Sequence, residues 1–171
     1  MSKRIIEVVD YDPKWVELYE LEATAIKDVL GNAAVNVHHI GSTAVKGLAA
    51  KPIIDILVEV TDLNYVDLLT SELVSLGYEA MGEFGIAERR FFQKGGNNRT
   101  HHIHVFKAGD ENGKLHITFR DYLIAHPEIA IEYGELKKKV ALECDNNPDR
   151  YSAGKNYFVK YHLLQLLKLR K

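Results

Sequence analysis

The residues best suited to chemistry lie in His38-His39-Ile40-Gly41-Ser42 and in Asp55, which sits inside the apolar run 53–60. Glycine lets a backbone come close to a ligand, and Ser42 offers a hydroxyl and an N–H at an expected helix start. Gly41-Ser42 can therefore cradle a phosphate. An ionised carboxylate among Ile53, Ile54, Ile56, Leu57 and Val58 is costly to bury alone. Asp55 must pair, bind a metal, or sit at an exposed end of a sheet. A phosphate-gripping turn with a strand carboxylate holding Mg²⁺ is the smallest kit for metal-assisted phosphoryl or nucleotidyl transfer. The bland alternative is an ordinary Gly-Ser turn ahead of a strand.

Histidines offer the next donors. His102 and His104 alternate with Ile103 and Val105, so both leave one face of a strand. If that strand lies beside 53–60, one of them can stand near Asp55. Asp with one or two His suits a single Mn²⁺, Zn²⁺ or Fe²⁺, and a neutral His104 can act as a general base. The same pattern also fits a polar strand face with hydrogen-bonded imidazoles. His38 and His39 point to opposite faces, and His39 is the one expected to face the loop. A histidine-triad hydrolase needs a third histidine where Phe106 stands. A two-histidine phosphoesterase needs a second His-x-Ser/Thr unit beside His116-Ile117-Thr118.

Cations complete the set. Lys51 lies between the loop and Asp55 and can neutralise a phosphate or the carboxylate itself. On a helix Arg120 shares a face with His116 at i,i+4. It can grip a phosphate or a carboxylate bidentately, or serve as a structural ion pair. Tyr151 and Lys155 are also spaced i,i+4, either as a binding pair or on a solvated face. Lys137-Lys138-Lys139 is expected to be a solvated helix end. Cys144 has no catalytic-thiol context and reads as inert.

HHIGSTAVKGLAAKPIIDILVEV resembles the signature of the GrpB family, placed among the DNA-polymerase-beta-like nucleotidyltransferases. The resemblance continues through RTHHIHVF, FRDYLIAHPEIAIEYGELKKKVA and the Tyr151/Lys155 helix. It implies a nucleotidyltransferase-like mixed sheet with flanking helices, and Tyr151 with Lys155 as a clamp for a triphosphate tail. One departure matters. The Asp-x-Asp of active nucleotidyltransferases reads here as Asp55-Ile56-Leu57. Glu59 shares the face of Asp55, but roughly 13 Å of strand separates them, too far for ions about 4 Å apart.

Three readings follow. In the first, a metal-dependent nucleotidyltransferase or divergent relative binds a nucleotide or phosphorylated small molecule. Gly41, Ser42, Lys51, Arg120, Tyr151 and Lys155 hold the ligand there. Asp55 holds Mg²⁺ or Mn²⁺, with His102 or His104 as a second ligand and His104 as the base. The second reading is a non-catalytic nucleotide- or phosphate-binding module. The third is a single-metal hydrolase using Asp55 with His102 and His104.

These residues need a scaffold to bring them together. The pattern predicts one α+β domain over 1–171, with a sheet core to about residue 109 and a helical half from about 110. Expected helices are 12–30, 62–76, 114–125, 127–144 and 149–169. Expected strands are 34–40, 53–60, 78–83, 89–94 and 100–107, the last two joined by the hairpin signal GGNNR. A short helical or loop segment covers 43–50. Of the chain, 46% is apolar and 27% charged, a globular mix that excludes disorder and disulfide scaffolds. One cysteine and no long apolar run at the start point to a cytoplasmic protein with no membrane anchor.

A net charge of −2 excludes a globally basic nucleic-acid coat. The total hides two acid-free basic stretches, at 89–109 and from 150 to the end. They are suited to flank a carboxylate site, or are simply a basic hairpin and a cation-rich helix end.

Overall fold

The computed structural model describes residues 4–169. Arg170 and Lys171, the last basic residues of the C-terminal stretch, lie outside them. The first helix, α1 (Lys14–Leu30), starts where the Asp12 carboxylate accepts the Lys14 N–H at 2.9 Å. It buries Trp15, Ala23, Ile26 and Leu30. Strands β1 (Ala34–Ile40) and β2 (Ile54–Val60) follow.

The helix expected over 62–76 is two short ones, α2 (Leu63–Leu68) and α3 (Thr70–Ser75). Thr70 is one local reason, because its hydroxyl donates to the Val66 carbonyl at 3.0 Å and competes with the helical ladder. Strand β3 (Tyr78–Ala80) is shorter than expected, since Gly82 turns the chain at φ 62. Strands β4 (Arg89–Lys94) and β5 (His101–Lys107) form the expected hairpin. Helix α4 (Glu111–Ala125) begins ahead of its expected start because the Asp110 carboxylate accepts the N–H groups of Asn112 and Gly113. Helices α5 (Pro127–Glu143) and α6 (Pro148–Leu169) complete the chain.

The five strands form one mixed sheet in the order β1-β2-β5-β4-β3. Only β2 and β5 run parallel, and the other pairs are antiparallel. The architecture is α+β, as the sequence pattern indicates. Strand alternation then divides the residues between two faces. Ile54, Ile56, Val58, Val60, Ile103 and Val105 pack on one face with Trp15 and Ile26 of α1, Leu63 and Val66 of α2 and Leu73 of α3. The other face carries Asp55, Leu57, His102, His104 and Phe106, with helices α4 to α6 on that side. Among the described residues no helix is long and apolar enough to cross a membrane.

The helical layer depends on close contact between α5 and α6. A Cβ at Gly154 would lie 2.5 Å from Val140 Cγ1, so glycine permits the approach. Gly154→Ala is expected to destabilise the fold by about 1–3 kcal/mol through overpacking, read as a lower urea midpoint. Adding Val140→Ala to that variant should restore part of the loss.

Candidate functional site

The β2–β5 register sets the floor of the site. Asp55 pairs with His102, and Leu57 pairs with His104. His102 Nδ1 lies 3.3 Å and His104 Nε2 3.4 Å from Asp55 Oδ1. Each imidazole has a guanidinium on its far side. Arg99 Nη1 is 3.3 Å from His102 Nε2, and Arg89 Nη1 is 3.4 Å from His104 Nδ1. A guanidinium only donates, so each outer nitrogen accepts and each inner N–H points at Asp55. Burial pushes the Asp55 pKa up, but the hydrogen bonds from His102 and His104 outweigh it and hold the carboxyl well below the usual carboxylate range.

The loop after β1 closes on the same carboxylate. Ile40 pairs with Asp55, so Gly41 leaves the sheet directly beside it. Gly41 has φ 72 and ψ −174, a backbone conformation essentially restricted to glycine. A Cβ there would also sit 2.7 Å from Asp55 Oδ2. Both the turn and the close approach therefore require glycine. Ser42 opens a short 3₁₀ turn and is hydrogen-bonded to Tyr133 of α5.

Three lysines gather on the helical side. Lys51 Nζ lies 4.6 Å and Lys155 Nζ 5.2 Å from the centre of the Tyr151 ring, which is itself buried. Lys137 Nζ lies 4.6 Å from the Tyr133 ring centre. This corrects the expectation of a solvated lysine run at 137–139. Lys138 is at the surface, paired with Asp10, and Lys139 is exposed. Lys137 is only 2% exposed, and its Nζ is the one buried side-chain nitrogen or oxygen among the described residues with no hydrogen-bond partner. Helical phase explains the difference, because Ala130, Tyr133, Gly134, Lys137 and Val140 fall on the buried stripe of α5.

Burial lowers the pKa of all three amines, and it brings Lys51 down to about 8. The Lys155 and Lys51 charges push Lys137 lower still. These groups surround a cavity of about 690 Å³, of a size that suits a small-molecule ligand. Its basic lining residues are Lys51, Arg89, Arg120, Lys137 and Lys155, and Asp55 is its single carboxylate. The two acid-free stretches do flank Asp55, through Arg89 of β4 and Lys155 of α6.

Other residues singled out in the sequence have partners of their own. Arg120 lines the cavity with His116, but its Nε and Nη2 hold Asp121 and its Nη1 donates to the His39 carbonyl at 3.0 Å. His39 does face the loop, where its Nε2 is 2.9 Å from Thr43 Oγ1 and its ring stacks on Tyr19. Burial brings His39 and His116 down to about 4, so both are neutral near pH 7. Cys144 is buried, with its thiol donating to the Ala141 carbonyl. Lys137, Arg89 and Tyr133 were not singled out as site residues. The phase of α5 was the available signal for Lys137 and Tyr133; Arg89 offered only its place in the basic stretch.

The donor set departs from the paired carboxylates of a two-metal centre. Leu57, in place of the second carboxylate, is wholly buried with Ile40 and Phe106. Glu59 pairs with His38 at 2.7 Å. Among the described residues no group of three or more His, Cys, Asp or Glu is arranged to hold a metal ion.

Comparison with known proteins agrees with this fold. The family model described as GrpB protein matches residues 5–164. The chain is 44% identical over 158 residues to the UPF0157 protein YqkA of Bacillus subtilis, covering 92% of this chain and 46% of YqkA. It thus spans about half the length of that relative. A crystal structure of the conserved protein GrpB from Enterococcus faecalis superposes with a TM-score of 0.90 at 45% identity, covering 95% of this chain and 98% of that one. A structure of the Cid1 poly(U) polymerase matches at TM-score 0.52 and 15% identity, covering 77% of this chain and 42% of that one. The Cid1 likeness is one of fold alone: the sheet and its flanking helices are arranged as in that poly(U) polymerase. With a family model and a near-complete structural match on the same residues, the chain belongs to the GrpB family.

Proposed function

We propose that this protein binds a phosphorylated small molecule, nucleotides included, in the cavity between the sheet and α4 to α6. Lysine amines rather than divalent ions neutralise its phosphates. The observation that carries this reading is Lys137, a buried amine without a partner in a cavity it shares with Lys51 and Lys155. A buried polar group that the protein's own atoms leave without a hydrogen bond is a reason to look for the ligand that satisfies it. A phosphate answers that need, since it offers several acceptor oxygens and negative charge to all three amines.

Gly41 and Ser42 line the same cavity, with Ser42 hydrogen-bonded to Tyr133, and provide the backbone approach. Asp55, with its two imidazoles, shapes the floor and repels an anion from it, which directs phosphates toward the lysines. The Cid1 structure is that of a poly(U) polymerase with MgGTP bound, and the shared fold makes a nucleotide the first ligand to test.

Isothermal titration with ADP and with tripolyphosphate, both in EDTA, should show saturable binding at one site. Ser42→Ala and Lys155→Met should each weaken it. Absence of binding to either probe would overturn the proposal. Binding that requires Mg²⁺ or Mn²⁺, or release of pyrophosphate from a nucleoside triphosphate, would instead support transferase chemistry at Asp55.

Lys137→Met should separate function from stability. Removing a buried, unpartnered amine is expected to raise the stability of the empty protein by roughly 1–3 kcal/mol, while affinity for tripolyphosphate falls at least tenfold. Unchanged affinity would show that Lys137 does not meet the ligand.

The lysines also set a pH dependence. Lys51 titrates at about 8 in the fold against 10.5 ordinarily, so anion affinity should fall as pH rises through 8. The stability contribution of Lys51 has the opposite slope. Between pH 8 and 10.5 the unfolded chain holds more protons than the folded one, so stability rises with pH over that range. Chemical denaturation across that window, with wild type compared to Lys51→Met, reads the difference.

A further inference from the structure

The loop between β3 and β4 brings an aromatic ring to the same cavity in a backbone conformation that a phenylalanine rarely adopts. Phe84 has φ 49, and Gly82, Gly85 and Glu88 in the same loop also lie at positive φ. For a bulky residue this conformation is a true outlier, held only where its surroundings over-determine it. They do so here. Arg89 donates from Nη2 to the Phe84 carbonyl at 2.8 Å and from Nε to the Glu83 carbonyl at 3.1 Å. The Glu83 carboxylate accepts the Glu88 N–H at 2.6 Å, and the Gly82 carbonyl accepts the Phe91 N–H at 2.8 Å.

The strain serves a placement. The Phe84 ring stacks on Phe91 with centroids 5.1 Å apart and planes 6° from parallel. Phe91 in turn sits 5.2 Å from His102 and 5.2 Å from His104, so the stack is fixed to the floor of the site. Phe84 nevertheless remains 55% exposed while lining the cavity. With one face covered by Phe91, that exposure belongs to the opposite face and the ring edge. A large apolar ring held in a strained turn and left half bare where it lines the cavity has little to offer stability.

We propose that Phe84 is a stacking platform for a planar aromatic group on the bound ligand, so that the favoured ligands are nucleotides rather than aliphatic phosphates. This rests on the phosphate-binding reading above. The geometry suits it, because Phe84 lines the same cavity as Lys51, Lys137 and Lys155. A nucleotide carries its base and its phosphates at opposite ends, so one molecule can meet both the ring and the lysines. Stacking on an aromatic side chain tolerates any base, so the platform selects for a ring and not for a particular base.

Titrations with ADP, ribose 5-phosphate and tripolyphosphate against wild type, Phe84→Ala, Phe84→Trp and Phe84→Gly test this. Wild type should bind ADP at least tenfold more tightly than ribose 5-phosphate. Phe84→Ala should lose about tenfold in ADP affinity with tripolyphosphate unchanged, and Phe84→Trp should retain ADP. Phe84→Gly relieves the positive φ, so its melting temperature should hold or rise while ADP affinity drops as in Phe84→Ala. Equal ADP affinity in wild type and Phe84→Ala, with both binding, overturns the platform alone. Loss of tripolyphosphate binding in Phe84→Ala, or a lower melting temperature in Phe84→Gly, would mark the ring as structural and overturn it too. Failure of ADP and tripolyphosphate alike to bind wild type overturns the phosphate reading and the platform with it.

Discussion

An ionised carboxylate on a central strand needs compensation from its neighbours, and here the neighbours arrive in an ordered set. The parallel β2–β5 register delivers His102 and His104 to one oxygen of Asp55. Arg89 and Arg99 fix the direction of both imidazoles, and Gly41 leaves the second oxygen room against the β1 turn. Each compensating group has its own requirement on the chain. Arg89 needs the carbonyls of the 83–84 loop, Gly41 needs the turn after β1, and the histidines need β5 directly beside β2. The loop, the turn and the strand order therefore all serve the same carboxylate.

The cavity above that floor combines opposite demands. Its lining carries five basic side chains and a single carboxylate, an arrangement in which the empty protein places cations close together under partial burial. Like charges in such a site depress one another, and burial depresses all of them. A buried amine without a partner and an aromatic ring in a strained turn are both unfavourable in the empty fold. Their presence at the same cavity fits the general pattern in which binding sites hold local conflict that the scaffold tolerates.

Much of the scaffold was legible in the sequence. A β-branched apolar run placed β2, the alternation of His102 and His104 with Ile103 and Val105 placed β5, Pro127 marked a helix start, and Gly41, Ser42 and Asp55 were identified by chemical type. The adjacency of His102 and His104 to Asp55 followed once β5 was set beside β2. Local chemistry concealed the rest. A run of three lysines looks solvated until the helical phase of α5 turns the first one inward. The split at Leu69 follows from one hydroxyl in competition with the ladder. Phe84 gave no signal at all, because its role depends on a backbone angle and on a ring that reaches it from β4.

The parallel pairing of β2 with β5 also governs how the molecule comes into being. Residues 54–60 and 101–107 are parallel neighbours separated along the chain by α2, α3, β3 and β4. Contacts so distant along the chain are slow to close and are rewarded late. The floor of the cavity is therefore absent from any early folding intermediate that holds only local structure. A ligand that reads this floor recognises the completed sheet, and its occupancy would report maturation as directly as affinity.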